Sequence, residues 1–88
     1  MKKIIITGIT GQDGAHLTKL LLDSSLNYSI YGVSRNINEA LFFKKLESLN
    51  SKLPNTSNFQ LIEIKKFDEV EKLIIDISPD QIYHLSGP

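Results

Sequence analysis

The sequence has no cysteine and no tryptophan. That excludes a disulfide framework and any cysteine-bound zinc, and it fits a reducing, cytoplasmic setting. It also has no excess of charge of either sign, since ten Lys and Arg balance ten Asp and Glu. The general electrostatic case for a nucleic-acid or anionic-membrane partner is therefore missing. Long apolar runs are missing too. Met1-Lys2-Lys3 before Ile4-Ile5-Ile6 resembles the opening of a signal peptide, but the run stops at Thr7-Gly8, short of the roughly 7–15 apolar residues an h-region needs. Nothing approaches the roughly 20 residues of a membrane span. Linkers, internal repeats and low-complexity segments are absent as well. What remains is a hydrophobic share of 41% in 88 residues, the composition of a soluble globular domain. A chain this short buries roughly 60–65% of its unfolded surface, so it folds with little margin.

Strand and helix patterns alternate along the chain. Ile4 to Ile6 is continuous and β-branched, as in a central parallel strand covered on both faces. Ala15, Leu17, Leu20 and Leu21 give a helical face that ends near Ser24-Ser25. Tyr28 to Ser34 alternates and is rich in strand formers, predicting a second strand. Asn38 is placed to cap a helix reaching about Leu49, with Phe42, Phe43, Leu46 and Leu49 inward. Leu53-Pro54-Asn55 breaks it, and a polar loop follows to Asn58. Phe59 to Ile64 reads as a third strand. Asp68 with Glu71 forms a capping-box pattern before a helix whose face is Val70, Leu73, Ile74 and Ile77. Pro79 ends that helix, and Gln81 to Ser86 reads as a fourth strand. Such alternation predicts an α/β fold: the first half of a Rossmann-like doubly wound parallel sheet, with four strands in the order 3-2-1-4 and three helices.

Between the first strand and first helix lies TGITGQDG, residues 7–14, with glycines at Gly8, Gly11 and Gly14. The spacing is G-x-x-G-x-x-G, and no Gly-Lys-Ser/Thr follows as a P-loop requires. Glycines let backbone turn sharply and approach a ligand, and a helix N-terminus offers free N–H groups and a favourable dipole to phosphate. The strand–turn–helix context makes this a dinucleotide site rather than a bare turn. In such domains an acid at the end of the second strand selects NAD, and an arginine accommodates the 2′-phosphate of NADP. Here Arg35 stands at that place, followed by Asn36, with no carboxylate until Glu39. NADP is therefore expected over NAD.

Other polar residues read as structural. His16 is expected at the surface or in packing, and His84 as a satisfied sheet histidine; neither has a partner at metal-ligand spacing, so no metal site is expected. Lys44-Lys45 and Lys65-Lys66 read as solvated faces. Tyr28, Tyr31 and Tyr83 lie in strands and are expected to pack.

The wording GITGQDGAHL after KIII resembles the extended short-chain dehydrogenase/reductases, and within them the GDP-mannose 4,6-dehydratases. YGVSR is similar to that family's second strand and phosphate-binding arginine, and SPDQIYHLSGP to its PDEIYNLAAQ segment at the fourth. The resemblance is sharp at residues 3–22, 30–35 and 78–85. It implies that Gly8, Gly11 and Gly14 shape a pyrophosphate turn lined by Thr10, Gln12 and Asp13, and that Arg35 meets the 2′-phosphate. A family Asp-Leu pair that contacts adenine corresponds by spacing to Glu63-Ile64. Leu85-Ser86-Gly87 takes the place of a Leu-Ala-Ala backbone that runs past the cofactor, and Pro88 departs from the pattern. The chain carries about two extra residues near Ser25–Asn27, and residues 36–53 do not match the family's arginine- and serine-rich loop.

The resemblance implies a reaction that oxidises the hexose C4 hydroxyl, eliminates water across C5 and C6, and returns the hydride at C6. Its enzymes use a Ser/Thr, a Tyr-x-x-x-Lys pair and, in the dehydratases, a glutamate. Here Tyr28, Tyr31 and Tyr83 are followed four places later by Gly32, Arg35 and Gly87, so these residues hold no such pair. The expectation is the N-terminal, NADP(H)-binding portion of such an enzyme, an expressed fragment or a truncated product, with no catalytic residue and no turnover alone. GDP-mannose or a related sugar nucleotide would be a partner only of a complete enzyme. The alternatives are part of another extended family member, such as a sugar-nucleotide epimerase or reductase, a non-catalytic nucleotide-binding or interaction module, or a remnant without function. An exposed fourth strand further predicts self-association.

Overall fold

The computed structural model describes residues 2–24, 27–49 and 58–85. Seven elements alternate along them: β1 (Lys2–Thr7), α1 (Gln12–Asp23), β2 (Tyr28–Ser34), α2 (Glu39–Ser48), β3 (Phe59–Glu63), α3 (Phe67–Ile77) and β4 (Gln81–His84). The strands form one parallel sheet in the order β3-β2-β1-β4. This is the α/β, doubly wound arrangement expected, with the chain reversing its winding direction between β1 and β4.

The isoleucine run explains the middle of the sheet. Side chains of a strand alternate between faces, so Ile4 and Ile6 point one way and Ile5 the other, and all three are fully buried. Ile4 and Ile6 meet Ile9, Ala15, Leu21, Phe42, Leu46 and Phe59 under α1 and α2. Ile5 joins Val33 and Ile64 under the Val70, Leu73, Ile74 and Ile77 face of α3. Each fully buried isoleucine contributes about 1.5–3 kcal/mol. The α3 side is the thinner layer, because no residue of that helix is fully buried.

Local signals set the helix ends. Asn38 caps α2 as expected, its Oδ1 accepting from the Leu41 N–H at 3.1 Å. Ser78 takes a left-handed conformation (φ 50°) after α3 and donates its N–H to Ile74 O, and Pro79 follows.

Three expectations are corrected. Leu20 lies outside the buried face of α1, at 69% exposed; Thr18 takes the inward place, its hydroxyl donating to Gly14 O at 2.7 Å. That bond satisfies the hydroxyl on the preceding turn, which is what lets a threonine occupy a buried helix position. The capping box at Asp68 and Glu71 does not form. Helix α3 begins two residues earlier with Lys66 at the cap position and no side-chain cap, leaving Asp68 and Glu69 to favour its N-terminal dipole. Strand β4 ends at His84, so Leu85 falls outside the strand expected to contain it, although Leu85 N still donates to Thr7 O at 2.9 Å. Ser86, Gly87 and Pro88, the loop around Leu53-Pro54-Asn55 and residues 25–26 lie outside the described residues.

Candidate functional site

The carboxyl ends of the strands converge on the glycine turn. Gly8 adopts a φ of 73°, a conformation that costs a side-chain-bearing residue energy. The turn is then stitched to β2, with Gly8 N and Ile9 N both donating to Val33 O, at 2.8 and 3.2 Å. Gly11 N donates back to Gly8 O at 3.1 Å, and Gly11 itself takes the N-cap position of α1 without a side-chain cap. A Cβ on Gly14 would fall 2.6 Å from Ile9 Cα and closer still to the Ile9 carbonyl. Only glycine lets the helix start this near the strand end.

This geometry leaves donors open. Gly14 N and Ala15 N bond to Gly11 O, whereas no described residue accepts from the N–H groups of Gln12 and Asp13. Unsatisfied N–H groups at a helix N-terminus, reached past glycines without side chains, are what a phosphate needs. The cradle thus fits a dinucleotide pyrophosphate.

Side chains hold the turn from two directions. Thr10 Oγ1 lies 2.8 Å from Ser34 Oγ on β2, and Lys45 Nζ donates to Thr10 O at 3.1 Å from α2. Lys45 is half-buried, so the reading of Lys44-Lys45 as a solvated face is wrong for its second member. Helical spacing carried the signal, since Lys45 sits between Phe42 and Leu49 on the inward face.

Across the other side of the turn runs a cleft of about 550 Å³. Thr7 and Gly8 line it at the end of β1, Ser34 and Arg35 at the end of β2, Ile64, Lys65 and Lys66 just past β3, and His84 from β4. His84 is a partnered sheet residue, as expected: its Nδ1 lies 2.7 Å from Thr7 Oγ1. Of the residues expected to bind the cofactor, the structure brings Gly8, Arg35 and Ile64 to this cleft. Thr10 and Gln12 line separate grooves on the α2 side, and Gln12, Asp13 and Gly11 are exposed at the start of α1. Glu63 is exposed and accepts the Ile37 N–H at 2.9 Å through Oε1. Ile64 is buried under α3, and Leu85 packs against the core beneath α1. Ser34, given no role from the sequence, pairs with Thr10 at the turn; Lys65 and Lys66, read as a solvated face, are exposed and also line the cleft. His16 is exposed, and among the described residues no cluster of His, Cys, Asp or Glu could hold a metal. No helix among them is long and apolar enough to cross a membrane.

Comparison with known proteins gives this geometry a context. The model of the family described as GDP-mannose 4,6 dehydratase matches residues 5–88. The GDP-mannose 4,6-dehydratase of Yersinia enterocolitica is 30% identical over 99% of this chain and 23% of its own length. That of Vibrio cholerae is 31% identical over 98% and 23%, and GDP-mannose 4,6 dehydratase 2 of Caenorhabditis elegans is 33% identical over 98% and 23%. The chain therefore spans about a quarter of the length of these relatives. The crystal structure of Cj0485 dehydrogenase shares the fold, with a TM-score of 0.68 at 23% identity over 99% of this chain and 33% of that one.

Proposed function

This chain belongs to the GDP-mannose 4,6-dehydratase family, and from that premise we propose that its 88 residues form the NADP(H)-holding part of a sugar-nucleotide dehydratase. The complete enzyme would convert GDP-mannose to GDP-4-keto-6-deoxymannose. The observation that carries the reading is the carboxyl edge of the sheet: a glycine turn with open N–H groups at Gln12 and Asp13, and Arg35 in the cleft beside Gly8. The turn would hold the pyrophosphate, and Arg35 the 2′-phosphate. When bound, the cofactor supplies hydride acceptance and return. The residues present here bind and orient it. Proton transfer at the sugar requires a base that these residues do not offer, as no Tyr-x-x-x-Lys lies among them. Turnover of GDP-mannose by this chain alone is therefore not expected.

Calorimetric titration with NADPH and NADH tests the assignment. Tighter binding of NADPH supports it, and equal affinity or no binding overturns it.

A second reading concerns assembly. Among the described residues β4 pairs only with β1, and Ile82 on it is 46% exposed. A parallel edge with exposed apolar side chains pairs readily with another chain, so self-association through β4 is a further element of the proposal. Sizing in solution over a wide concentration range checks it, and a clean monomer at high concentration counts against it.

A further inference from the structure

We propose that Lys65 is a second determinant of cofactor choice, its ammonium group standing beside Arg35 to hold the phosphate that distinguishes NADP(H) from NAD(H). This rests on the NADP(H) reading above and adds a residue to it.

The backbone fixes the neighbourhood. Gly8 N donates to Val33 O, and Ile64 N donates to Ser34 O at 2.9 Å. Along the carboxyl edge the glycine turn, the residue after β2 and the residues after β3 thus stand side by side. Arg35 follows Ser34 and Lys65 follows Ile64, and both line the cleft that Gly8 opens into. A dinucleotide lying across that edge, with its pyrophosphate on the turn, brings its adenosine ribose between these two cations.

Charge sharpens the point. Arg35, Lys65 and Lys66 line the cleft against a single carboxylate, Glu71, and no described carboxylate forms an ion pair with any of the three. Glu63, the nearest acid along β3, is engaged by the Ile37 N–H and lies outside the cleft lining. A phosphate monoester carries about −1.5 to −2 charge near neutral pH, so two unpaired cations reward it. The plain ribose hydroxyl of NAD(H) offers no charge to either. One exposed arginine alone is screened by solvent and gains little; a second cation at the same place makes the discrimination.

Titration of the wild-type chain and of Lys65→Gln with NADPH, NADH, adenosine 2′,5′-bisphosphate and adenosine 5′-monophosphate tests this. Lys72→Gln on the exposed flank of α3 serves as a control for general charge. Loss of one charge-assisted contact is expected to weaken NADPH and the bisphosphate about tenfold, leaving NADH and the monophosphate unchanged. The gap should shrink as salt is raised, and Lys65→Arg should restore it. If the wild type prefers NADPH and Lys65→Gln keeps that preference, the role of Lys65 is overturned while the NADP(H) reading stands. An equal loss in Lys72→Gln also overturns it, as an effect of net charge. A wild type that does not distinguish the two cofactors removes the NADP(H) reading itself, and Lys65's role with it.

Discussion

Ile9 occupies the space that a side chain on Gly32 would need. A Cβ built on Gly32 would lie 3.1 Å from Ile9 Cγ2 and from Leu61 Cδ2, and nearer still to Ile9 Cδ1. The glycine of the second strand is therefore there for the isoleucine of the glycine turn, which is itself fully buried. Gly32→Ala should destabilise the fold by about 1–3 kcal/mol through overpacking. Ile9→Val removes Cδ1 and should cost about 0.5–1.5 kcal/mol alone. Because the two changes touch the same space, the double variant should be more stable than their sum, with a coupling of about 0.5 kcal/mol or more. Urea unfolding of the four proteins measures this, and simple additivity would show that the contact is not what constrains Gly32.

Gly14 and Gly11 differ in what they do, and the difference is measurable. At Gly14 a Cβ meets Ile9 backbone, which has no flexible end to move aside. Alanine gains up to about 1 kcal/mol in helix propensity, yet helix α1 must shift to admit it. Gly14→Ala should therefore lower stability by about 2 kcal/mol and weaken NADPH and NADH together. At Gly11 a Cβ meets only Gly8 O, at 3.4 Å, with φ at −72°. Gly11→Ala should cost about 1 kcal/mol or less as a poorer N-cap, while its methyl group would crowd the pyrophosphate that the proposed function sets on the turn. Unfolding and cofactor titration on the same two variants should rank them in opposite orders of effect.

Much of this was legible in the chain. Period-two and period-3.6 patterns located all seven elements because the isoleucine run and the α2 and α3 faces are strong. Asn38 works as a cap because its Oδ1 accepts the Leu41 N–H, one of the donors that a helix start leaves open. The misreadings on α1 and α2 share one physical cause: whether a side chain is buried depends on its partners and not on its polarity alone. Thr18 is core because its hydroxyl is satisfied on the preceding turn, and Leu20 is surface because α1 turns its other face inward. Lys45 is half-buried because a carbonyl of the turn waits at the end of its stem. Lys65 faces the cleft because the hydrogen bond from Ile64 to Ser34 carries the β3 path one residue past its strand.

The α1 correction can be tested directly. Leu20→Ala on the exposed flank should change stability by about 0.5 kcal/mol or less, whereas Leu21→Ala, from the buried core, should cost about 2–5 kcal/mol. Thr18→Val keeps the volume but removes the donor to Gly14 O. The carbonyl there loses a partner at a buried position, so a loss of about 1 kcal/mol is expected. Chemical denaturation of the three variants decides the matter, and a large effect at Leu20 would restore the face read from the leucines.

Lys45 gives the last test, because its contact acts on the turn rather than on any ligand. Its ammonium donates to Thr10 O, while Thr10 Oγ1 pairs with Ser34 Oγ, so Thr10 is held from both helix and strand. Lys45→Met keeps the apolar stem and removes the donor. Stability should fall by about 1 kcal/mol, and the turn should lose order between Ile9 and Gly11. Binding of NADPH and NADH should weaken by the same factor, since both need the same pyrophosphate cradle. That common factor separates Lys45 from Lys65, where only the phosphorylated cofactor should suffer. Amide hydrogen exchange at Gly11 and Gly14, compared with cofactor titration, checks both halves. Unchanged protection in the turn would show that Lys45 packs there without holding it.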